Sequence, residues 1–154
     1  MVHHKRNIIL SVFAQISALW NEASDEFMVP LTGALLVRSI RIAILMLVSA
    51  KADGHAVGIY AINHDVERDV WTLSYVNRYD DWGKGYSVEG MKALMEHAVK
   101  EYGAHTSDGE CARENTGSRR VMEKLGMVYD HSSSYTKSDG SATFESDVFT
   151  LTIG

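Results

Sequence analysis

Residues 82–87 read Trp-Gly-Lys-Gly-Tyr-Ser and stand between a strand-like run, Thr72-Leu73-Ser74-Tyr75-Val76, and a helix-like run from Val88 to Tyr102. This feature constrains the fold most, because it fixes a strand–turn–helix unit with two glycines in the turn. Glycines let the backbone approach an anion closely, and the first N–H groups of a helix, which lack partners inside the helix, point at it. The segment therefore reads as a phosphate-holding turn. It is not the common nucleotide loop, since Gly83-Lys84-Gly85 lacks a Gly-Lys-Ser/Thr ending.

The rest of the chain arranges itself around that unit. Val88, Met91, Met95, Ala98 and Tyr102 recur at steps of three and four, so Ser87 to Tyr102 is expected as a helix that stops at Gly103. Upstream, Phe13, Ile16, Trp20, Ala23 and Phe27 follow the same rule and predict a first helix that ends before Pro30, the only proline. Ser39 to Val48 fits two readings. As a helix it is apolar nearly all round. As a strand it carries the β-branched Ile40, Ile42 and Ile44. The Asp53-Gly54 pair that follows favours a hairpin of Ile40–Val48 with Ala56–Ile62, and Trp71–Val76 continues it as a third antiparallel strand. Ser107 to Ala112 reads as a strand, Asn115 as the cap of a helix that ends at Gly126, and Met127–Tyr135 with Thr143–Thr152 as a final strand pair. The expected class is mixed α/β with a largely antiparallel sheet flanked by helices. With 154 residues and no repeat or linker, the chain is expected as one domain, residues 1–154.

Composition narrows the function classes. The formal net charge is −5 with no block of like charges, which argues against a non-specific nucleic-acid binder. Cys111 is the only cysteine, so an intrachain disulfide is excluded and a cytoplasmic location is the simplest expectation. Cys111 itself reads as a packing residue in a strand. No convincing signal peptide opens the sequence, and Ala34–Ala50, which carries Arg38 and Arg41, is too short and too charged for a membrane span. His3 and His4 have no second cluster at ligand spacing, so no metal site is expected.

A second signal lies downstream of the turn, Asn115-Thr116-Gly117-Ser118-Arg119-Arg120-Val121-Met122-Glu123-Lys124-Leu125-Gly126. Together, in this order, the two segments resemble the GNAT superfamily of N-acetyltransferases, in the branch that includes ribosomal-protein alanine N-acetyltransferases. The resemblance runs from about Val57 to Thr152. It implies that the turn holds the pyrophosphate of acetyl-CoA through Trp82, Gly83, Lys84, Gly85, Tyr86 and Ser87. Trp82 stands where the family has Gln or Arg, and Ser87 where it has Gly or Ala. It further implies that Tyr75 and Val76 offer backbone groups to the pantetheine arm and that Asn115 lies near that arm. Arg119 and Arg120 read as a solvated helix face, with Arg119 the candidate for a cofactor phosphate. The first forty residues fit the family less well. One helix is legible and the second is shortened, in the region that normally selects the acceptor.

The implied reaction is attack of a neutral amine on the thioester. It requires a proton acceptor for the ammonium, a donor for the oxyanion and an acid for the departing thiolate. Many members place a tyrosine acid at the position of Met122, so that acid is missing and Ser118 is its best substitute. Glu110 is the candidate base, with Glu114 second. The expected acceptor is a small-molecule or peptide amine. Nucleic acid and membrane are not expected as partners, and a homodimer is. A non-catalytic acyl-CoA-binding domain of the same fold is the competing expectation.

Overall fold

Thr72 and Asp108 form the last rung that joins two parallel strands at the centre of a seven-stranded sheet, and beyond it the strands part. The computed structural model describes residues 8–17, 40–137 and 140–154, with side chains described from residue 44 onward. The strands are β1 (Ile8–Ser17), β2 (Ile40–Ala50), β3 (Ala56–Asp65), β4 (Val70–Asn77), β5 (Thr106–Ala112), β6 (Val128–Thr136) and β7 (Thr143–Thr152). Helix α1 (Tyr86–Tyr102) lies between β4 and β5, and α2 (Thr116–Lys124) between β5 and β6. The strand order is β1-β2-β3-β4-β5-β7-β6. Every neighbouring pair is antiparallel except β4–β5.

The expected β2–β3 hairpin forms around Lys51–His55, closed by Ala50 N–H donating to the His55 carbonyl at 2.9 Å. Its strands alternate as half-covered strands do. Ile44, Met46, Val48 and Ala50 are buried, while Leu45, Leu47 and Ser49 between them are half-buried. The apolar stripe of α1 (Met91, Leu94, Met95, Ala98) packs into one core cluster with Val57, Tyr60, Ile62, Trp71 and Leu73. The helix ends where Gly103 N–H and Ala104 N–H bond the carbonyls of Val99 and Ala98. Cys111 is buried in β5, as a packing residue should be.

One expectation is corrected. Phe13 to Ser17, read as the start of a helix, belongs to strand β1, paired antiparallel with β2. Ile8, Ile9, Val12 and Ile16 are β-branched, and pairing with β2 from Ile42 to Ala50 outweighs a three-and-four spacing that began only at Phe13. The remainder of that expected helix, and the shortened helical region after it, lie outside the described residues.

Candidate functional site

The divergence of β4 from β5 makes the site. Arg78 N–H bonds the Val57 carbonyl of β3 at 2.8 Å, while the Trp71 carbonyl accepts the Ser107 hydroxyl of β5 at 2.7 Å. Because backbone groups alternate sides along a strand, odd-numbered residues of β4 face β5. Pairing with β5 reaches only Trp71 and Thr72. The C=O of Leu73 and the N–H and C=O of Tyr75 therefore face an opening, without a strand partner among the described residues.

A cleft of about 260 Å³ occupies this opening. Strand β4 lines it with Tyr75, Val76 and Asn77, and the turn and α1 with Trp82, Gly83 and Ser87. The start of α2 supplies Asn115, Gly117, Ser118 and Val121. Two helix N-termini thus converge on one opening, at the carboxyl end of the strands. The turn is shaped by backbone conformation. Gly83 and Gly85 have φ of 75° and 84°, in the left-handed region, and Gly85 is the N-cap of α1. A Cβ on either glycine would meet nothing within 4 Å, so the space in front of the turn is open. That open cradle, with the unpaired β4 edge beside it, fits a pyrophosphate followed by an amide-bearing arm.

Hydrogen bonds fix the walls. Asn77 Nδ2 donates to Ser87 Oγ at 2.6 Å, tying the first turn of α1 to the end of β4. Beneath them the buried Tyr60 hydroxyl faces Ser87 and Asn77 without closing a hydrogen bond to either, and burial pushes its phenol up to about 12. Tyr75 Oη donates to the Ser118 carbonyl at 3.3 Å and so straps β4 to α2, and burial raises its pKa too. Asn115 Oδ1 accepts Ser118 N–H at 3.0 Å, the expected N-cap.

Of the residues expected here, the structure gathers Tyr75, Val76, Trp82, Gly83, Ser87, Asn115 and Ser118 around the cleft. Gly85 caps α1 beside them, and Tyr86 turns half-buried toward the core. Lys84, Arg119 and Glu110 do not line the cleft. Lys84 Nζ lies 3.0 Å from Asp81 Oδ1, which raises the lysine pKa and lowers that of the buried Asp81. Arg119 is paired with Asp147 and lies over the Phe149 ring, 5.4 Å from its centroid. Glu110 is exposed on β5 and accepts the Ser146 hydroxyl. Asn77, Gly117 and Val121 went unread in the sequence. Asn77 alone carried a signal there, as a polar residue that ends an apolar strand. Met122 is buried against Gly109.

Residues 21–128, more than half of the chain, match the family described as the acetyltransferase (GNAT) domain. The chain belongs to the GNAT family. A GNAT acetyltransferase from Bacillus anthracis has the same fold, with a TM-score of 0.63 at 23% identity over 70% of this chain and 65% of that one. The ribosomal-protein-S5-alanine acetyltransferase of Vibrio fischeri gives 0.63 at 15% identity, over 71% and 61%. The spermidine N-acetyltransferase of Vibrio cholerae, solved with CoA and spermine, gives 0.61 at 12%, over 71% and 65%. This GNAT domain thus spans a little under two thirds of the length of these neighbours. The uncharacterized N-acetyltransferase YnaD of Bacillus subtilis (strain 168) is 43% identical over 44 residues, 29% of this chain and 26% of that protein. Among the described residues no His, Cys, Asp and Glu group is arranged to hold a metal, and no helix is long and apolar enough to cross a membrane.

Proposed function

We propose that this GNAT domain is an acetyl-CoA-dependent N-acetyltransferase acting on a primary amine, either a protein N-terminus or a small molecule. The observation that carries the reading is the opening between β4 and β5, with the free backbone edge from the Leu73 carbonyl through Tyr75 on one side and the N-terminus of α1 at its mouth. When bound, acetyl-CoA supplies an activated acetyl thioester. The backbone N–H groups of the turn from Trp82 to Ser87 would hold its pyrophosphate. The β4 edge and Asn115 would hold its pantetheine arm, a reading that the neighbour of this fold solved with CoA and spermine supports.

The chain's own groups have three tasks. Backbone N–H on the β4 edge offers a preorganised donor to an oxyanion. Ser118, at the cleft wall, can deliver a proton to a departing thiolate. Glu110 and Glu114 are the carboxylates considered for taking the proton of the acceptor ammonium. Glu110 would need a water to relay it, because it stands off the cleft wall. The reading carries with it a cytoplasmic site of action and a homodimer. A monomeric mass at micromolar concentration would remove the homodimer.

A second reading is favoured by Met122. A buried thioether occupies the place where many relatives have a tyrosine acid, which suits an acyl-CoA-binding domain without turnover. Calorimetric titration with acetyl-CoA, with ATP as control, tests both. Saturable binding of acetyl-CoA alone, followed by thiol release in an amine screen, supports the transferase. Binding without thiol release for any amine supports the binding domain, and no binding removes both.

A further inference from the structure

Tyr79 is 78% exposed and Trp82 64%, the highest values among the aromatic side chains described. They stand together, ring centroids 5.0 Å apart and planes inclined at 53°. The indole is anchored, and Tyr79 leans on it. Trp82 Nε1 donates to the Asn77 carbonyl at 3.3 Å, which sets the indole at the cleft mouth. The backbone beneath is a 3-10 turn, with Asp81 N–H to the Arg78 carbonyl at 3.0 Å and Trp82 N–H to the Tyr79 carbonyl at 3.1 Å. The buried Asp81 inside that turn is pinned by His55 Nε2 at 3.1 Å and by Lys84 Nζ at 3.0 Å. Two aromatic faces are thus preorganised in solvent, directly before the glycines of the turn and continuous with the cleft that Trp82 lines.

A rigid exposed aromatic step suits a flat heteroaromatic ring, which stacks on it with little ordering cost because the protein side is already fixed. The position says which ring. The pantetheine arm runs from the turn into the opening along β4, so the other end of the same cofactor leaves the turn toward solvent, where Tyr79 and Trp82 stand. We propose that the Tyr79–Trp82 pair is the stacking platform for the adenine of a bound CoA thioester. This rests on the cofactor reading above and adds to it the subsite that separates CoA thioesters from pantetheine thioesters lacking adenosine.

The test compares acetyl-CoA with S-acetyl-4′-phosphopantetheine by calorimetry, on the unmodified chain and on Trp82→Ala, Trp82→Phe and Tyr79→Ala. Both residues are exposed, so melting temperatures should stay within a few degrees and report intact folds. Trp82→Ala is expected to weaken acetyl-CoA roughly tenfold, the order of a lost base–aromatic stack, and to leave the shorter thioester unchanged. Tyr79→Ala should move the same way by less, and Trp82→Phe should keep most of the affinity. Unaltered acetyl-CoA affinity in Trp82→Ala overturns the proposal while leaving the cofactor reading in place. So does an equal loss for both ligands, which would put the indole on the arm instead. Failure of the unmodified chain to bind acetyl-CoA overturns the cofactor reading and the platform together.

Discussion

Gly58 on β3 lies so close beneath Val76 on β4 that a Cβ at residue 58 would stand 2.0 Å from the Val76 carbonyl oxygen. Asn77, its partner across the ladder, would be met at 2.9 Å by its Oδ1 and at 3.0 Å by its Cα. The obstacle is backbone, and that backbone is the cleft wall. The missing side chain therefore sets where the end of β4 runs. Gly58→Ala should push Val76 and Asn77 outward and destabilise the fold by about 1–3 kcal/mol, the usual cost of overpacking. Gly109→Ala is the control. There a Cβ meets the flexible end of Met122 at 3.2 and 3.3 Å, so the loss should be smaller. Denaturant unfolding of both variants checks the order, and equal losses would mean that β4 yields easily.

The turn is tethered to the β2–β3 hairpin by His55, whose imidazole contacts Asp53 at 2.6 Å and Asp81 at 3.1 Å. Bonds to Asp53 first, then Asp81, raise the His55 pKa. A raised folded value contributes stability that is complete below the ordinary histidine pKa and is lost as pH rises through the folded value. Asp81 works in the opposite sense. Lys84 first, then His55, lower its pKa, so its contribution is present above the ordinary carboxylate range and is lost as pH falls through the folded value. The tether should be firmest between those two titrations. The melting temperature is expected to fall from about pH 5.5 to about pH 8.5 more steeply in the unmodified chain than in His55→Ala. Parallel curves would show that His55 does not couple to folding.

What the sequence made legible was local. Asp53-Gly54 announced the hairpin, the three-and-four spacing from Val88 to Tyr102 announced α1, and Asn115 announced the cap of α2, because each depends on neighbours a few residues away. Strand β1 was hidden because Phe13 and Ile16 satisfy a helical spacing, while the pairing that decides the matter is with β2, tens of residues later. The fate of the charged candidates was hidden for the same reason. Arg119 is engaged by Asp147, and Glu110 by Ser146, contacts that only the sheet register creates. The glycine-rich turn could be read, whereas the parting of β4 and β5 beyond Thr72 could not.

At Gly85 the backbone adopts φ 84°, a conformation that costs an L-residue about 1–2 kcal/mol. The space in front of it is open, so a substitution there meets no clash and the cost is conformational and electrostatic. Gly85→Ala should weaken acetyl-CoA modestly. Gly85→Glu adds bulk and a negative charge where the pyrophosphate is placed, and should abolish saturable binding in calorimetry. Undiminished affinity in the Glu variant would falsify the placement of the phosphate at this turn.

Asn115 separates a structural role from a binding one. Its Oδ1 accepts Ser118 N–H at 3.0 Å, and removing that cap in Asn115→Ala should cost about 0.5–2 kcal/mol. Asn115→Asp keeps the accepting oxygen and adds a charge that suits a helix N-terminus, so its melting temperature should match or exceed that of the unmodified chain. The two variants therefore differ in stability but share the loss of the amide NH2, the donor by which Asn115 would hold the pantetheine arm. If Asn115 touches that arm, both weaken acetyl-CoA binding although only the Ala variant is destabilised. If it only caps α2, the Asp variant binds as the unmodified chain does, and the arm must be held by the β4 edge alone.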